Sequence, residues 1–377
     1  MRSRQGLTDD DQVAVVHGVA LEHGGGMRVA EEIARTFDAP LYIGFCRSGV
    51  TEHVSTDIEC HVIRDDKSIT GKLAGESSLV RNLYTLWEFQ HVPELTDFDI
   101  VIQSASSFDW YTPPPEQNLI RYAHSAPELA YRSFSELSKF RTNRLIGLVS
   151  RVLRTHTIRY ADAYIANSEI TAQELNRYFG IKPAIAYPPI DVSKYSKRDQ
   201  QEYYLTVSRL TGDKGVEELV QMFTTELPNR KLKVAGTGPI EDRLRGIAGD
   251  NVEILGWVSE ERKYDLLGSC RGYILNSGVE QFGISSAEAL ASGTAVLGVD
   301  DGYTSYQIIN GKNGVLYERG DLPDAVRTFE SEGVTMTRNE IQQTAADYDV
   351  EEFRRRIGAV IEEVVEQSSH TSISEYL

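Results

Sequence analysis

Cysteine is scarce in this chain: Cys46, Cys60 and Cys270 are the only three in 377 residues, an odd number without CxxC spacing. That argues against a disulfide framework or a zinc site and leaves three isolated thiols expected in the interior. Long apolar runs are also lacking. No stretch approaches the ~18 consecutive apolar residues that a membrane span requires, and the opening MRSRQGLTDDDQ has no apolar core of signal-peptide type. A cytoplasmic protein is therefore expected, peripheral on the inner membrane face at most. Lysine is in short supply, 11 against 28 arginines, and basic residues as a whole are outnumbered 39 to 56, for a formal net charge of −17. A field of that sign repels nucleic acid and anionic membrane, so any anionic ligand needs a local basic patch. The same balance is that of a chain adapted to high salt.

What is present is a globular composition, 41% hydrophobic and 25% charged, with length for two ordinary domains. Short β-branched runs alternate with helical patterns: QVAVVH (12–17), PLYIGF (40–45), DIVIQS (99–104), LIRYAH (119–124) and AYIAN (163–167), then YYLTVS (203–208), LKVAG (232–236), VEILG (252–256), GYILN (272–276) and TAVLGV (294–299). Nearly continuous apolar strands of this kind are covered on both faces, as in parallel sheets with helices between strands. The fold class is α/β, twice over. The Pro188-Pro189 pair and the polar stretch after it break regular structure and place a boundary near 190. The domains expected are 1–190, 191–345, and a closing segment 346–377. That segment contains an amphipathic helix with Val350, Phe353, Ile357 and Val360 at helical spacing.

The most informative stretch is NSGVEQFGISSAEALASGTAVLGV (276–299). A strand ends at Asn276, a glycine-bearing turn follows, and a helix is expected from about Ile284. Glu280 precedes that helix and Glu288 lies in its early turns. Free backbone amides at the helix start, with Gly283 permitting close approach, form an anion cradle flanked by two carboxylates. Upstream, Arg209 ends a strand and Lys214 precedes a helix, putting a planar fork and a point charge at the same carboxyl edge. Together these groups are suited to hold a diphosphate without a metal.

The pattern S-x-x-E-x-F-G-x-x-x-x-E-A-x-A-x-G from Ser277 to Gly293, with S-R-L-x-x-x-K-G from Ser208 to Gly215, resembles the retaining glycosyltransferases of family 4. The likeness extends to VAGTGP (234–239), LGWVSEERKYDLLGSC (255–270) and GKNGVLY (311–317). It implies the GT-B fold, two Rossmann-like parallel-sheet domains facing across a cleft, with the final helix returning to the first domain. It further implies a retaining transfer of a hexose-type sugar from a nucleoside diphosphate to a glycan or lipid-linked acceptor, with no metal and no cofactor besides the donor. In that family's terms Glu280 contacts the donor sugar near the reacting carbon, Glu288 the ribose hydroxyls, and Arg209 and Lys214 the diphosphate, while Phe282, Gly283, Ile284 and Ser285 supply backbone amides. In the first domain the resemblance assigns Gly25 and Gly26 to the donor diphosphate and the acceptor, and His124 to the sugar's reacting face. The chain departs from the pattern in Ser125-Ala126-Pro127 after that histidine, in Ala295 for the usual proline, and in Tyr306 or Gln307 for an acid. The alternatives are a sugar-nucleotide epimerase or hydrolase of the same fold, or a catalytically silent sugar-nucleotide-binding partner protein.

Other features read as structural. His17 and His23 have nothing nearby to complete a metal set, GTG at 236–238 lacks the remainder of a dinucleotide fingerprint, and Asp97-Phe98-Asp99 leads straight into a strand as its cap. Between Tyr131 and Arg159 seven basic residues (Arg132, Lys139, Arg141, Arg144, Arg151, Arg154, Arg159) stand against one glutamate. A packed helix with a solvated arginine face accounts for that run. The sharper expectation is membrane-surface contact through 139–159.

Overall fold

The computed structural model describes residues 12–67, 91–105, 111–125, 158–278 and 280–374. The membrane-contact stretch lies outside them up to residue 157. The chain divides into two compact units, Met1–Pro189 with Phe353–Leu377, and Ile190–Glu352.

In the first unit the described strands are β1 (Val13–Ala20), β2 (Leu41–Cys46), β3 (Cys60–Asp65), β4 (Ile100–Ala105), β5 (Asn118–Ala123), β6 (Ala163–Ala166) and β7 (Ala184–Ile185). They form one parallel sheet in the order β3-β2-β1-β4-β5-β6-β7. β3 and β7 escape the pattern of apolar runs: β3 is an edge strand with half-buried side chains, and β7 has two residues. Helix α1 (Gly25–Phe37) buries Met27, Ala30, Ile33, Ala34 and Phe37, spaced to fall on one face. It ends at Asp38, at a positive φ (51°) that aspartate tolerates. Helix α2 (Glu169–Phe179) starts on a Ser168 cap, whose hydroxyl accepts the Thr171 amide, and stops at Gly180. Asp99, just before β4, accepts at its Oδ2 the amide of Gln12, just before the neighbouring β1, at 2.8 Å.

The second unit repeats the plan with β8 (Tyr203–Val207), α3 (Val216–Thr225), β9 (Lys231–Ala235), α4 (Glu241–Ile247), β10 (Val252–Gly256), α5 (Glu260–Ser269), β11 (Gly272–Leu275), α6 (Ile284–Ala291), β12 (Val296–Val299), α7 (Thr304–Gln307), β13 (Gly314–Tyr317), α8 (Leu322–Glu332) and α9 (Arg338–Gln343). Its strand order is β10-β9-β8-β11-β12-β13, again parallel. Leu219, Val220 and Phe223 of α3 lie on a floor of Leu232, Val234, Ile274 and Leu297.

In each sheet the strand order reverses beside the first strand, at β1/β4 and at β8/β11. Connections leave in opposite directions there and open a crevice at the strands' carboxyl ends, where open α/β sheets bind ligands.

The last helix, α10 (Val350–Ser374), takes its first three residues from the second unit and the rest from the first. Phe353, Ile357, Val360, Ile361 and Val364 join the core of α1, β1 and β2. Phe353 meets Tyr122 edge-on at 6.0 Å, and Arg354 Nε donates to Glu32 Oε1 at 2.7 Å. At roughly 2 kcal/mol for each buried apolar side chain, that stripe alone fixes the helix to the first unit.

The thiols are unbridged, Cys46 and Cys270 buried and Cys60 half-buried. No described helix is long and apolar enough to cross a membrane.

Candidate active site

In the second unit the loops after β8 and β11 are locked together. Gly215, at φ 64°, has no side chain, and a Cβ there would overlap the Asn276 carbonyl. Asn276 Nδ2 donates to the Gly215 carbonyl at 2.9 Å and its Oδ1 accepts from the Tyr317 hydroxyl at 2.9 Å. This contact carries Lys214 to the loop of Glu280. Lys214 Nζ lies 2.7 Å from Glu280 Oε1, and the Ser277 hydroxyl donates to the same oxygen. Arg209, just past β8, is exposed. Lys214 and Arg209 share Asp213: after the Thr211 hydroxyl, their positive charges help hold its carboxyl below the usual range.

Helix α6 begins at Ile284, after Gly283 at φ 76°, with neither a side-chain cap nor an acid in its first turn. Its opening amides have no partner within the helix. Phe282 is buried, stacked on Tyr303 at 5.2 Å, so its side chain anchors the loop. Gln307, standing near the position where an acid was expected, is buried and accepts the Ser286 hydroxyl at 2.5 Å. The change of residue there therefore supports the helix start from behind.

Glu288 is 3% exposed, far more enclosed than a carboxylate flanking an open cradle would be. Lys263 Nζ donates to its Oε1 at 2.8 Å, the Tyr195 hydroxyl donates to the same atom at 2.8 Å, and Lys263 also reaches Glu260 at 2.9 Å. Both site carboxylates act on one phenol. Burial pushes Tyr273 well above its ordinary pKa, Ser285 and the Val207 backbone oppose this, and the negative charges of Glu288 and Glu280 add to it. Arg209, Lys214, Glu280, Phe282, Gly283, Ile284, Ser285 and Glu288 are thus gathered along the β8/β11 edge and the start of α6.

Three expected residues lie in the first unit. Gly25 and Gly26 open α1, again with no side-chain cap and no acid in the first turn. His124 follows β5. Its Nε2 is 2.8 Å from Ser104 Oγ, and its carbonyl accepts from Asn167 Nδ2 at 2.8 Å. Burial and then the neighbouring His17 push its pKa down to about 3. Among the described residues no group of three or more His, Cys, Asp or Glu side chains is arranged to hold a metal ion.

Lys263, Tyr195 and Ser104 were not picked out in the sequence, and Ser277 was read only as the first residue of the motif, not as a partner of Glu280. Lys263 left a signal: with Leu266 and Leu267 it forms an i, i+3, i+4 stripe buried on α5, and a lysine on an apolar stripe needs a buried partner.

Residues 189–347 match the family model described as glycosyl transferases group 1. An alpha-1,3/1,6-mannosyltransferase ALG2 from Kluyveromyces lactis is 23% identical over 356 residues, covering 77% of this chain and 70% of that protein. The GtfA subunit of a UDP-N-acetylglucosamine–peptide N-acetylglucosaminyltransferase from Streptococcus gordonii is 30% identical over 164 residues, 40% of this chain and 32% of its own. Among solved structures, sucrose-phosphate synthase from Thermosynechococcus elongatus aligns with a TM-score of 0.72 at 16% identity, covering 94% of this chain and 100% of that one. Anabaena HepE in complex with UDP and glucose aligns with a TM-score of 0.69 at 16% identity, over 93% and 99% of the two chains. Two parallel sheets with a reversal beside each first strand give a GT-B fold of two Rossmann-like units, and residues 189–347, which include Lys214, Glu280 and Glu288, are similar to glycosyl transferases group 1.

Proposed function

We propose that this chain transfers a sugar from a nucleoside diphosphate to a glycan or lipid-linked acceptor, with retention at the anomeric carbon and without a metal ion. The observation that carries this reading is the Lys214–Glu280 pair at 2.7 Å, beside the uncapped start of α6. A departing diphosphate gathers negative charge while the sugar gathers positive charge. A site that serves both needs cations and helix amides for one, and a carboxylate for the other. Lys214, Arg209 and the first amides of α6 take the diphosphate, aided by the positive end of the helix dipole. Donor binding draws Lys214 from Glu280 toward phosphate, and Glu280, still held by Ser277, faces the oxocarbenium-like carbon. Glu288, its rotamer fixed by Lys263 and Tyr195, accepts the ribose hydroxyls. Structures of HepE with UDP and with UDP and glucose support a nucleotide-sugar donor.

The test is a thermal-shift panel of UDP, GDP and ADP sugars, followed by transfer assays with Glu280→Gln. A ligand at 100 times its Kd adds about 2.7 kcal/mol of stability. The reading expects one nucleotide to stabilise the chain, and Glu280→Gln to keep that binding while losing transfer. Stabilisation by none of the three overturns it.

A further inference from the structure

The second unit carries a stack of aromatic rings beside the loop of Glu280. Phe282, 3% exposed, stacks on Tyr303 at 5.2 Å between centroids with the planes at 26°, and Tyr348 meets Phe282 edge-on at 5.2 Å. Tyr303, 2% exposed, stacks in turn on Tyr306 at 5.3 Å with the planes at 5°. The Tyr303 amide donates to the Glu280 carbonyl at 2.7 Å, which ties the stack to that loop. Tyr306 differs from the inner rings in being 49% exposed. A lone exposed ring is ordinary on a protein surface. This one lies nearly parallel to a buried partner, so its orientation is set before a ligand arrives, and a molecule laid on it loses little to ordering the side chain.

The chemistry of that molecule follows from the ring and its neighbours. The face of a tyrosine is apolar and carries negative π density, which attracts the slightly positive C–H bonds that line one face of a pyranose. Polar groups suited to sugar hydroxyls stand close by. Asp300 and Asp301 are exposed in the segment that leads into Tyr303. A Cβ built on Gly278 would lie 3.8 Å from Asp301 Oδ2 and 3.3 Å from Nη1 of Arg319, which also pairs with Glu218. Carboxylates accept from hydroxyls and a guanidinium donates to them. Two exposed carboxylates, in a chain of net charge −17, disfavour an anion on the ring. Position within the site agrees. In the donor reading Glu280 faces the sugar carbon, whereas the ribose end, Glu288, is held by Lys263 and Tyr195. The stack hangs on the loop of Glu280, the end at which an acceptor has to meet that carbon.

We propose that Tyr306 is a platform for a sugar ring of the acceptor, held flat by Tyr303 and built by the second unit. This rests on the transfer reading above and narrows its acceptor to a molecule that presents a neutral pyranose ring. Tyr306 then determines which acceptor is taken and leaves the nucleotide to Lys214, Arg209 and Glu288.

The test uses the full chain and calorimetric titration with maltose, cellobiose, mannobiose and chitobiose, each with and without UDP or GDP. At least one disaccharide is expected to bind the native chain. Tyr306→Ala is expected to weaken that binding tenfold or more and leave the affinity for UDP or GDP unchanged, and Tyr306→Phe, which keeps the ring, recovers most of the loss. Equal weakening of disaccharide and nucleotide, or of neither, overturns the proposal. Weakening of the nucleotide alone also overturns it, because the base would then be what lies on the ring. So does a native chain that binds a nucleotide and none of the four disaccharides. Should Tyr306→Ala fail to fold, the ring-proton shifts of Tyr306 in the native chain decide: they move with the disaccharide and not with UDP or GDP alone, and identical responses overturn the proposal. Failure of every nucleotide and nucleotide sugar to bind the native chain defeats the donor reading itself. Nucleotide binding that persists while Tyr306→Ala leaves the disaccharide unaffected defeats only the role of Tyr306.

Discussion

Lys263 places its ammonium 2.8 Å from Glu288 Oε1, with 6% and 4% of the two side chains exposed. An ion pair this enclosed is costly to break from one side, because the remaining charge stays buried alone, at ~3–5 kcal/mol. Lys263→Met is therefore expected to lower the stability of the second unit by about 3 kcal/mol or more in urea unfolding. The double variant Lys263→Met, Glu288→Gln should be more stable than Lys263→Met alone. Simple addition of the two losses would mean that the residues act independently.

The Lys214–Glu280 pair separates charge binding from chemistry. Charge-assisted hydrogen bonds are worth ~1.5–3 kcal/mol, so Lys214→Ala is expected to weaken UDP or GDP binding by roughly 10- to 100-fold. Glu280→Gln should leave nucleotide affinity within a few-fold. The reverse pattern in calorimetry would place the diphosphate elsewhere.

The two low-pKa histidines set an acid limit on the first unit. Folded, His17 and His124 take protons only at about 4 and about 3, whereas in the unfolded chain they do so near 6.5. As pH falls from 6.5 the unfolded state binds protons first. The stability held by keeping both rings neutral is thus complete above that value and drains away toward pH 4. Unfolding midpoints measured between pH 7.5 and 4.5 should fall accordingly, and His17→Phe should flatten the slope.

Gly215 tests the lock between the β8 and β11 loops. Alanine there meets both a left-handed backbone, φ 64°, and the Asn276 carbonyl. A loss of ~2 kcal/mol is expected from overpacking, with nucleotide affinity falling alongside because Lys214 moves with the loop. Native affinity in Gly215→Ala would show that Lys214 is placed by other contacts.

Phe353→Ala removes a ring that is 1% exposed from the core of the first unit. The expected loss is ~3–5 kcal/mol. Calorimetry should show it in the transition of the first unit, leaving that of the second in place.

Sequence and structure agree most closely where physical demands are local and repetitive. Val15, Ile43, Ile102, Leu205 and Ile274 lie in strands covered on both faces, and their runs betray them; β3 lies at an edge and carries no such signal. The loops of Lys214 and Glu280 were readable because glycines and charges recur at fixed offsets. The partners of the carboxylates were not. Tyr195 stands 93 positions from Glu288 and Lys263 stands 25, separations that spacing along a chain does not encode.

The two places where the chain passes between units lie against each other. Ile190 accepts the Val350 amide at 3.0 Å and donates to Tyr348 at 2.9 Å, and it forms a parallel bridge with Asp349. Topologically, 190–352 is an insertion whose entry and exit are clasped at one point. A single proteolytic nick at either passage leaves the halves tethered by the other. The inserted segment thus begins and ends at one point, with both of its ends already adjacent.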